Sequence, residues 1–113
     1  MREENLNKLK DIHKHTREKN WNFYDAEPIP EIVFERARAI INELDEEHQP
    51  RFIAPTGRNS VQFEYENDNV YLEFEVYGNH IDGYVSMSNF SDEHLLGFNS
   101  SCIKNYVDKF FKQ

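Results

Sequence analysis

The sequence lacks the features of a secreted or membrane-embedded chain. Cys102 is the only cysteine, so no disulfide can form within the chain, which fits a reducing compartment. The segment Met1–Asn5 is polar, and no apolar run approaches the roughly 20 residues that span a bilayer. Internal repeats, low-complexity tracts and linkers are also missing. We therefore expect a cytoplasmic protein with no membrane contact and one domain over residues 1–113.

Basic residues are missing from the middle of the chain. Residues 61–99 contain eight Asp or Glu and neither Lys nor Arg, and the whole chain carries a formal charge of −8. Acidic surfaces repel phosphate backbones, so we expect no direct binding of nucleic acid. The same charge favours a basic protein as the partner.

Patterns that support catalysis or metal binding are also lacking. The five histidines have no ligand spacing, and Cys102 has no evident base beside it. The segment Pro55–Ser60 lacks the second glycine and the lysine of a phosphate loop, and we interpret it as a turn. We therefore expect no enzyme activity, no catalytic residue, no metal and no cofactor.

The hydrophobic periodicity that is present predicts an α+β fold. Apolar residues at helical spacing predict helices at residues 3–19, 31–46 and 101–112, with a short helical turn at 91–96. Alternating apolar and polar residues predict strands at 51–54, 60–67, 70–77 and 80–87. The expected order is α-α-β-β-β-β-α, with an antiparallel four-stranded sheet whose apolar face is packed by helices.

Two-residue turns at Asp68-Asn69 and Gly78-Asn79 predict the register of this sheet. They align residue 64 with 73, 62 with 75, 75 with 82 and 73 with 84. A shift by one residue would place apolar side chains opposite polar ones, so this register is favoured. Seven candidate contact residues then share the polar face, which we call the acidic outer face: Glu64, Glu66, Tyr71, Glu73, Glu75, Asp82 and Tyr84.

Like charges that lie opposite each other in a sheet cost up to roughly 1 kcal/mol a pair, so the acidic outer face requires an explanation. It is a solvated surface that keeps the protein soluble, or it is a docking surface on which carboxylates and tyrosines bind a basic protein. A third explanation is that the basic first helix covers it, within one chain or across a homodimer. That helix carries Lys8, Lys10, Lys14, Arg17 and Lys19.

A fourth explanation is a small metal-dependent enzyme that uses the carboxylates of Glu64, Glu73, Glu75 and Asp82. An open, flat face is a poor cage for a metal ion, and no histidine lies among these residues. A separate aromatic segment holds Trp21, Phe23 and Tyr24. We expect these rings to tie the loop at residues 20–29 to the core, with a binding platform as the alternative.

Residues 20–77 resemble a group of short bacterial and phage proteins. The resemblance rests on the letters NWNFYDAEPI at 20–29, PT at 55–56, SVQFEY at 60–65 and LEFEV at 72–76. In that group an NWDGYGA-x-PI start precedes a helix, and strands of the type GG-(I/V)-x-(L/F)-E-W and L-E-(I/F)-E follow. Asn22, Phe23, Asp25 and Tyr65 depart from this pattern. The resemblance implies the same hairpin and a setting near mobile elements and defence or toxin genes, but no activity.

The favoured function is a non-enzymatic protein-interaction module. It would inhibit or regulate a basic protein, either a nucleic-acid-binding or a toxin or defence protein, in the manner of an antitoxin or a phage anti-defence factor. The metal-dependent enzyme and the homodimer with a covered acidic outer face remain the alternatives.

Overall fold

The computed structural model describes residues 1–68, 70–87, 93–98 and 100–112. The helices are α1 (Arg2–His15), α2 (Glu31–Glu43) and α3 (Ser100–Phe111), with one 3-10 turn at Glu46–His48. The strands are β1 (Phe52–Pro55), β2 (Val61–Glu66), β3 (Val70–Val76), β4 (Ile81–Met87) and β5 (Glu93–Phe98). The α+β class, the antiparallel sheet and the order of the predicted helices and strands are confirmed.

The sheet has one strand more than the sequence predicts. Its order is β1-β2-β3-β4-β5, and β5 pairs antiparallel with β4 where a helical turn at 91–96 was expected. A capping pattern at Ser91–Glu93 favours a helix locally, but the edge of β4 offers unpaired backbone groups to the whole segment. Pairing with a neighbouring strand overrides such a local preference. Ser91, Asp92 and the turn residue Asn69 lie outside the described residues.

The register of the three long strands agrees with the prediction. Glu64 lies opposite Glu73, and Gln62 lies opposite Glu75. On the other side of β3, Glu75 is paired with Asp82 and Glu73 with Tyr84. Because side chains alternate along each strand, the same register sends every second residue into the core.

The core lies between the apolar face of the sheet and the helices. Phe63 and Phe74 are fully buried on the sheet, and Phe34 of α2 packs with them in one hydrophobic cluster. Val107 and Phe110 of α3 belong to the same cluster. The predicted packing of the second and last helices on this face is therefore confirmed, and it leaves the opposite face of the sheet uncovered by α2 and α3.

Helix α1 packs beside α2. Leu9 and Ile12 are buried in the core cluster, and the His13 ring stacks on Phe34 with ring centroids 4.3 Å apart. The helix ends at His15, four residues before its predicted end. This packing places α1 on the helical side of the sheet, away from the acidic outer face.

A buried glutamine closes the end of α2. Gln49 is 1% exposed, and its Nε2 donates to the carbonyl oxygens of Ile41 at 2.9 Å and Leu44 at 3.1 Å. Asn5 Nδ2 of α1 donates to Gln49 Oε1 at 3.2 Å. A helix leaves its last carbonyl groups without partners, and here one side chain supplies the donor. Gln49 therefore fixes the path of the chain from α2 into β1.

Candidate functional site

The acidic outer face lies on three adjacent strands. Glu64 and Glu66 come from β2, Tyr71, Glu73 and Glu75 from β3, and Asp82 and Tyr84 from β4. All are half-buried except Glu66, which is exposed. The sequence therefore identified correctly which side chains share this face, and the structure adds what each one contacts.

Two donors lie between the opposed carboxylates of Glu64 and Glu73. Gln62 Nε2 donates to Glu64 Oε1 at 2.8 Å and to Glu73 Oε2 at 2.7 Å. The Tyr71 hydroxyl lies 3.0 Å from the same Glu64 oxygen and 2.9 Å from the same Glu73 oxygen. Hydrogen bonds to charged acceptors are stronger than neutral ones, so these contacts offset the repulsion. They also hold both carboxylates in fixed positions.

The Tyr71 phenol remains protonated in this setting. Burial raises the pKa of Tyr71 above its usual value, and the hydrogen bonds to Glu73 and Glu64 raise it further. The ring lies beside Tyr84, with centroids 6.2 Å apart. The middle of the acidic outer face thus combines two fixed carboxylates with two neighbouring aromatic rings.

Glu75 has a cationic partner within the chain. Arg58 donates from Nε to Glu75 Oε2 at 3.0 Å and from Nη2 to Glu75 Oε1 at 3.1 Å, a two-pronged ion pair. The Ser60 hydroxyl also donates to Glu75 Oε2, and Thr56 Oγ1 lies 3.4 Å from that oxygen. The predicted turn at Pro55–Ser60 therefore has a structural task, because it brings these donors to Glu75.

These contacts affect the ionisation of Glu75. Burial raises the pKa of Glu75, but hydrogen bonds from Arg58, Ser60 and Tyr77 outweigh burial and hold the pKa below its usual value. A carboxylate with a lowered pKa in the folded state stabilises the fold fully above its unfolded pKa, about 4.3. That stabilisation is lost as the pH falls through the lower folded-state value.

Arg58 was missed as a site residue when the sequence alone was considered. The signal was nevertheless present, since the predicted register places the turn before β2 beside Glu75 at the end of β3. A long arginine side chain from that turn reaches across two strands. What the sequence cannot supply is the rotamer that directs the guanidinium onto the sheet rather than into solvent.

A shallow recess of about 40 Å³ lies within the acidic outer face. Glu73, Glu75, Asp82, Gly83 and Tyr84 line it. One water molecule requires about 10–15 Å³ of such accessible space, so the recess has room for a few water molecules. A recess of this size accommodates the tip of one side chain and not a substrate or cofactor.

The described residues do not support a metal centre. Within the described part of the chain, no three or more Asp, Glu, His or Cys side chains are placed to hold a metal ion. The carboxylates of Glu64 and Glu73 are held by Gln62 and Tyr71, and Glu75 is held by Arg58. Three of the four carboxylates proposed as ligands, those of Glu64, Glu73 and Glu75, therefore accept hydrogen bonds from other side chains of the chain.

The basic first helix does not cover the acidic outer face within one chain, which removes that version of the third explanation, and coverage across a homodimer stays an untested alternative. Leu9 and Ile12 anchor α1 on the helical side of the sheet. Lys19 Nζ lies 3.7 Å from carboxylate oxygens of Asp25 and Glu27, in the loop that follows the helix. The apolar stripe of the helix decides its position, because burial of that stripe outweighs exposed ion pairs.

The aromatic loop divides into one half-buried anchor and two exposed rings. Trp21 packs against the core, and its Nε1 donates to the Glu27 carbonyl oxygen at 2.9 Å. Phe23 and Tyr24 are 87% and 88% exposed. The expectation that these rings tie the loop to the core is confirmed for Trp21 and wrong for Phe23 and Tyr24.

A larger groove lies at the end of β2 that carries Glu66. Its volume is about 830 Å³, and it is lined by Arg51, Phe52, Glu66, Asn67, Asp68, Phe110 and Phe111. Its charged groups are of mixed sign and belong to chain turns and strand ends. Glu66 is the one residue of the acidic outer face in this lining.

None of the helices in the described residues has the length and apolar character that crossing a membrane requires. Comparison of the chain with protein-family models, with curated proteins and with solved structures gives no match. The resemblance of residues 20–77 to short bacterial and phage proteins therefore stays a prediction, and the functional argument rests on the geometry of the chain itself.

Proposed function

We propose that this chain is a non-enzymatic interaction module that binds a basic protein through its acidic outer face. The observation that carries the proposal is the fixed arrangement of Glu64 and Glu73. Two half-buried donors on the same face, Gln62 and Tyr71, hold these like charges opposite each other, and none of the described helices covers that face. A surface kept acidic only for solubility needs no such positioning.

Fixed carboxylates favour binding because their ordering cost is met when the chain folds. A lysine or arginine of a partner that reaches Glu73 meets a carboxylate already in place. The recess beside it, lined by Glu73, Glu75 and Asp82, has room for one cationic side-chain tip. Tyr84 lines the same recess and supplies a ring for cation–π contact.

The partner class is proposed from the charge of this face and from the strand register that brings its carboxylates together. Carboxylates repeated along adjacent strands can take the place of nucleic-acid phosphates in a basic groove. We therefore propose a nucleic-acid-binding protein, or a basic toxin or defence protein, as the partner. The chain would inhibit or regulate it in the cytoplasm, in the manner of an antitoxin or a phage anti-defence factor.

The test is capture of partners from a lysate of the source organism with the immobilised chain at about 50 mM and about 500 mM salt. The matched variants are Glu64→Gln with Glu73→Gln, which keeps side-chain shape, and Glu3→Gln with Glu4→Gln, which removes two acids from α1. We expect a basic protein that is retained at low salt by the wild type and by the α1 variant, and lost from the sheet variant. Equal capture by all three forms, or salt-insensitive capture, would contradict the proposal.

A further inference from the structure

Phe23 and Tyr24 are the most exposed large apolar side chains of the described residues, at 87% and 88%. A single exposed apolar residue needs no explanation, because most protein surfaces contain some. Two adjacent rings that are almost wholly in water differ from that background. They forgo the burial that stabilises Trp21, two residues earlier in the same loop.

Hydrogen bonds hold the loop that carries these rings. Asn22 Oδ1 accepts from the backbone N–H groups of Tyr24 at 2.9 Å and Ala26 at 3.2 Å. Asn20 Oδ1 accepts from the Asp25 N–H at 2.8 Å, and the Asn20 N–H donates to the Ala26 carbonyl oxygen at 2.6 Å. The two asparagines thus connect the start of the loop to its end by hydrogen bonds and fix the backbone that carries the two rings.

The backbone of the loop is also strained. Asn20, Phe23 and Asp25 have φ angles of 65°, 63° and 64°. Side chains other than glycine seldom adopt this left-handed region, and a bulky residue such as Phe does so least. Strain of this kind persists only where the surrounding contacts impose it. The loop therefore holds the backbone that carries the two rings in one conformation, which lowers the entropic cost of binding through them.

The loop lies against the turn that serves the acidic outer face. A methyl group added at Gly57 would be 3.4 Å from Asn22 Nδ2. Gly57 is next to Arg58, which forms the two-pronged ion pair with Glu75. The exposed rings and the row of Glu75 and Asp82 are therefore at the same end of the sheet.

The charges around the rings indicate the chemistry of what they contact. Asp25 and Glu27 have side chains that are 81% and 62% exposed, and Lys19 is the cation within 4 Å of both. Over residues 19–27 two acids and one base give a net charge of −1, and the neighbouring sheet face is acidic as well. Anionic lipid head groups are repelled by such a charge, and lysine-rich or arginine-rich protein surfaces are attracted to it.

We infer that Phe23 and Tyr24 are the hydrophobic anchor with which the chain binds the same basic protein that its acidic outer face contacts. This inference rests on the proposed function. The partner then has an apolar pocket bordered by Lys or Arg. This pocket meets the loop while the basic surface of the partner contacts the acidic outer face. The carboxylates steer and orient the partner, and the two rings supply the desolvated centre of the contact.

The experiment uses the captured basic protein after purification, with the whole chain in calorimetric titrations at about 50 mM and about 500 mM salt. The test variant is Phe23→Ser with Tyr24→Ser. Ile32→Ser is the matched control, because Ile32 is an exposed apolar residue of α2 at 46%. We expect the test variant to weaken binding at least tenfold at both salt concentrations, and the control to bind within about twofold of the wild type.

The salt dependence separates this inference from the proposed function. Loss of the rings should leave the fall in affinity between about 50 mM and about 500 mM salt unchanged, because the rings carry no charge. Glu64→Gln with Glu73→Gln should reduce the slope, that is, the fall in affinity with rising salt, because it removes two charges. Unchanged affinity of the ring variant together with a reduced slope for the glutamine variant overturns this inference alone. Failure to capture any basic protein overturns both.

Two further outcomes count against the inference. In sedimentation of the purified chain, self-association that disappears with Phe23→Ser and Tyr24→Ser would make the rings a contact between copies. In flotation with phosphatidylglycerol vesicles, ring-dependent binding would make them a membrane contact. We expect neither, because the chain carries a charge of −8, which opposes both associations.

Discussion

Tyr71→Phe removes one hydroxyl group and nothing else from the acidic outer face. That hydroxyl lies 2.9 Å from Glu73 and 3.0 Å from Glu64. A hydrogen bond to a charged group contributes about 1.5–3 kcal/mol, and a half-buried site takes the lower end of that range. Repulsion between the two carboxylates is restored as well, which adds a few tenths of a kcal/mol.

We therefore expect Tyr71→Phe to lower the free energy of unfolding by about 1.8 kcal/mol, which corresponds to a Tm about 7–8 °C lower. Tyr24→Phe is the matched control, since it makes the same chemical change on a side chain that is 88% exposed. Its effect should stay within about 0.5 kcal/mol. Urea unfolding followed by circular dichroism measures both. Equal stability of the two variants would refute the idea that Tyr71 holds the carboxylates in place.

Three further predictions concern the contacts around this face. Arg58→Met should cost about 0.5–1 kcal/mol at neutral pH, and this cost should shrink as the pH falls through the lowered folded-state pKa of Glu75. Arg17→Met should cost nothing at neutral or acidic pH. Urea unfolding of both variants over this pH range checks the prediction, and a pH-independent loss for Arg58→Met contradicts it. Gln49→Met keeps the volume but removes the donor to the last carbonyls of α2, and should lower the free energy of unfolding by about 2–3 kcal/mol; a loss under 0.5 kcal/mol in the same assay contradicts that role. Trp21→Ala should lower the free energy of unfolding by about 2 kcal/mol, measured by thermal unfolding, because Trp21 packs against the core. The double variant Phe23→Ser with Tyr24→Ser should lower it less, because both rings are exposed. The reverse order would contradict the division of the loop into one anchor and two exposed rings.

The sheet was predictable because its signals are local and agree with one another. Alternation along β2, β3 and β4 and the short turns between them allow one register in which apolar residues share a face. The residues of the acidic outer face follow from that register without further information. The same reasoning identifies the core positions of α2 and α3, since their apolar stripes have helical spacing.

The features that the sequence did not predict depend on contacts between distant segments. β5 forms because the edge of β4 is available, although its own residues favour a helical turn. Arg58 reaches Glu75 only through a rotamer that the fold selects. Phe23 and Tyr24 are residue types that are usually buried, and the path of the loop, which Asn20 and Asn22 hold by hydrogen bonds, leaves their side chains exposed.

The position of α1 depends on a competition between exposed ion pairs and burial of apolar side chains, and charge composition alone predicts the wrong result. Its lysines suggest attraction to the acidic outer face, but ion pairs between exposed groups contribute less than about 1 kcal/mol each. Burial of Leu9 and Ile12 against the core contributes more, at about 1.5–3 kcal/mol for each side chain. The hydrophobic stripe therefore sets the position of the helix, and α1 leaves the carboxylates of the acidic outer face uncovered within one chain.

The measurement that most directly tests the acidic outer face as a binding surface is NMR chemical-shift mapping of the isotope-labelled chain with the captured basic protein. We predict that the shifted backbone amides lie in β2, β3 and β4, around Glu64, Glu73 and Asp82, and extend to the loop at Phe23 and Tyr24. Shifts confined to α1, α2 and α3, with the strand amides unmoved, would contradict the account.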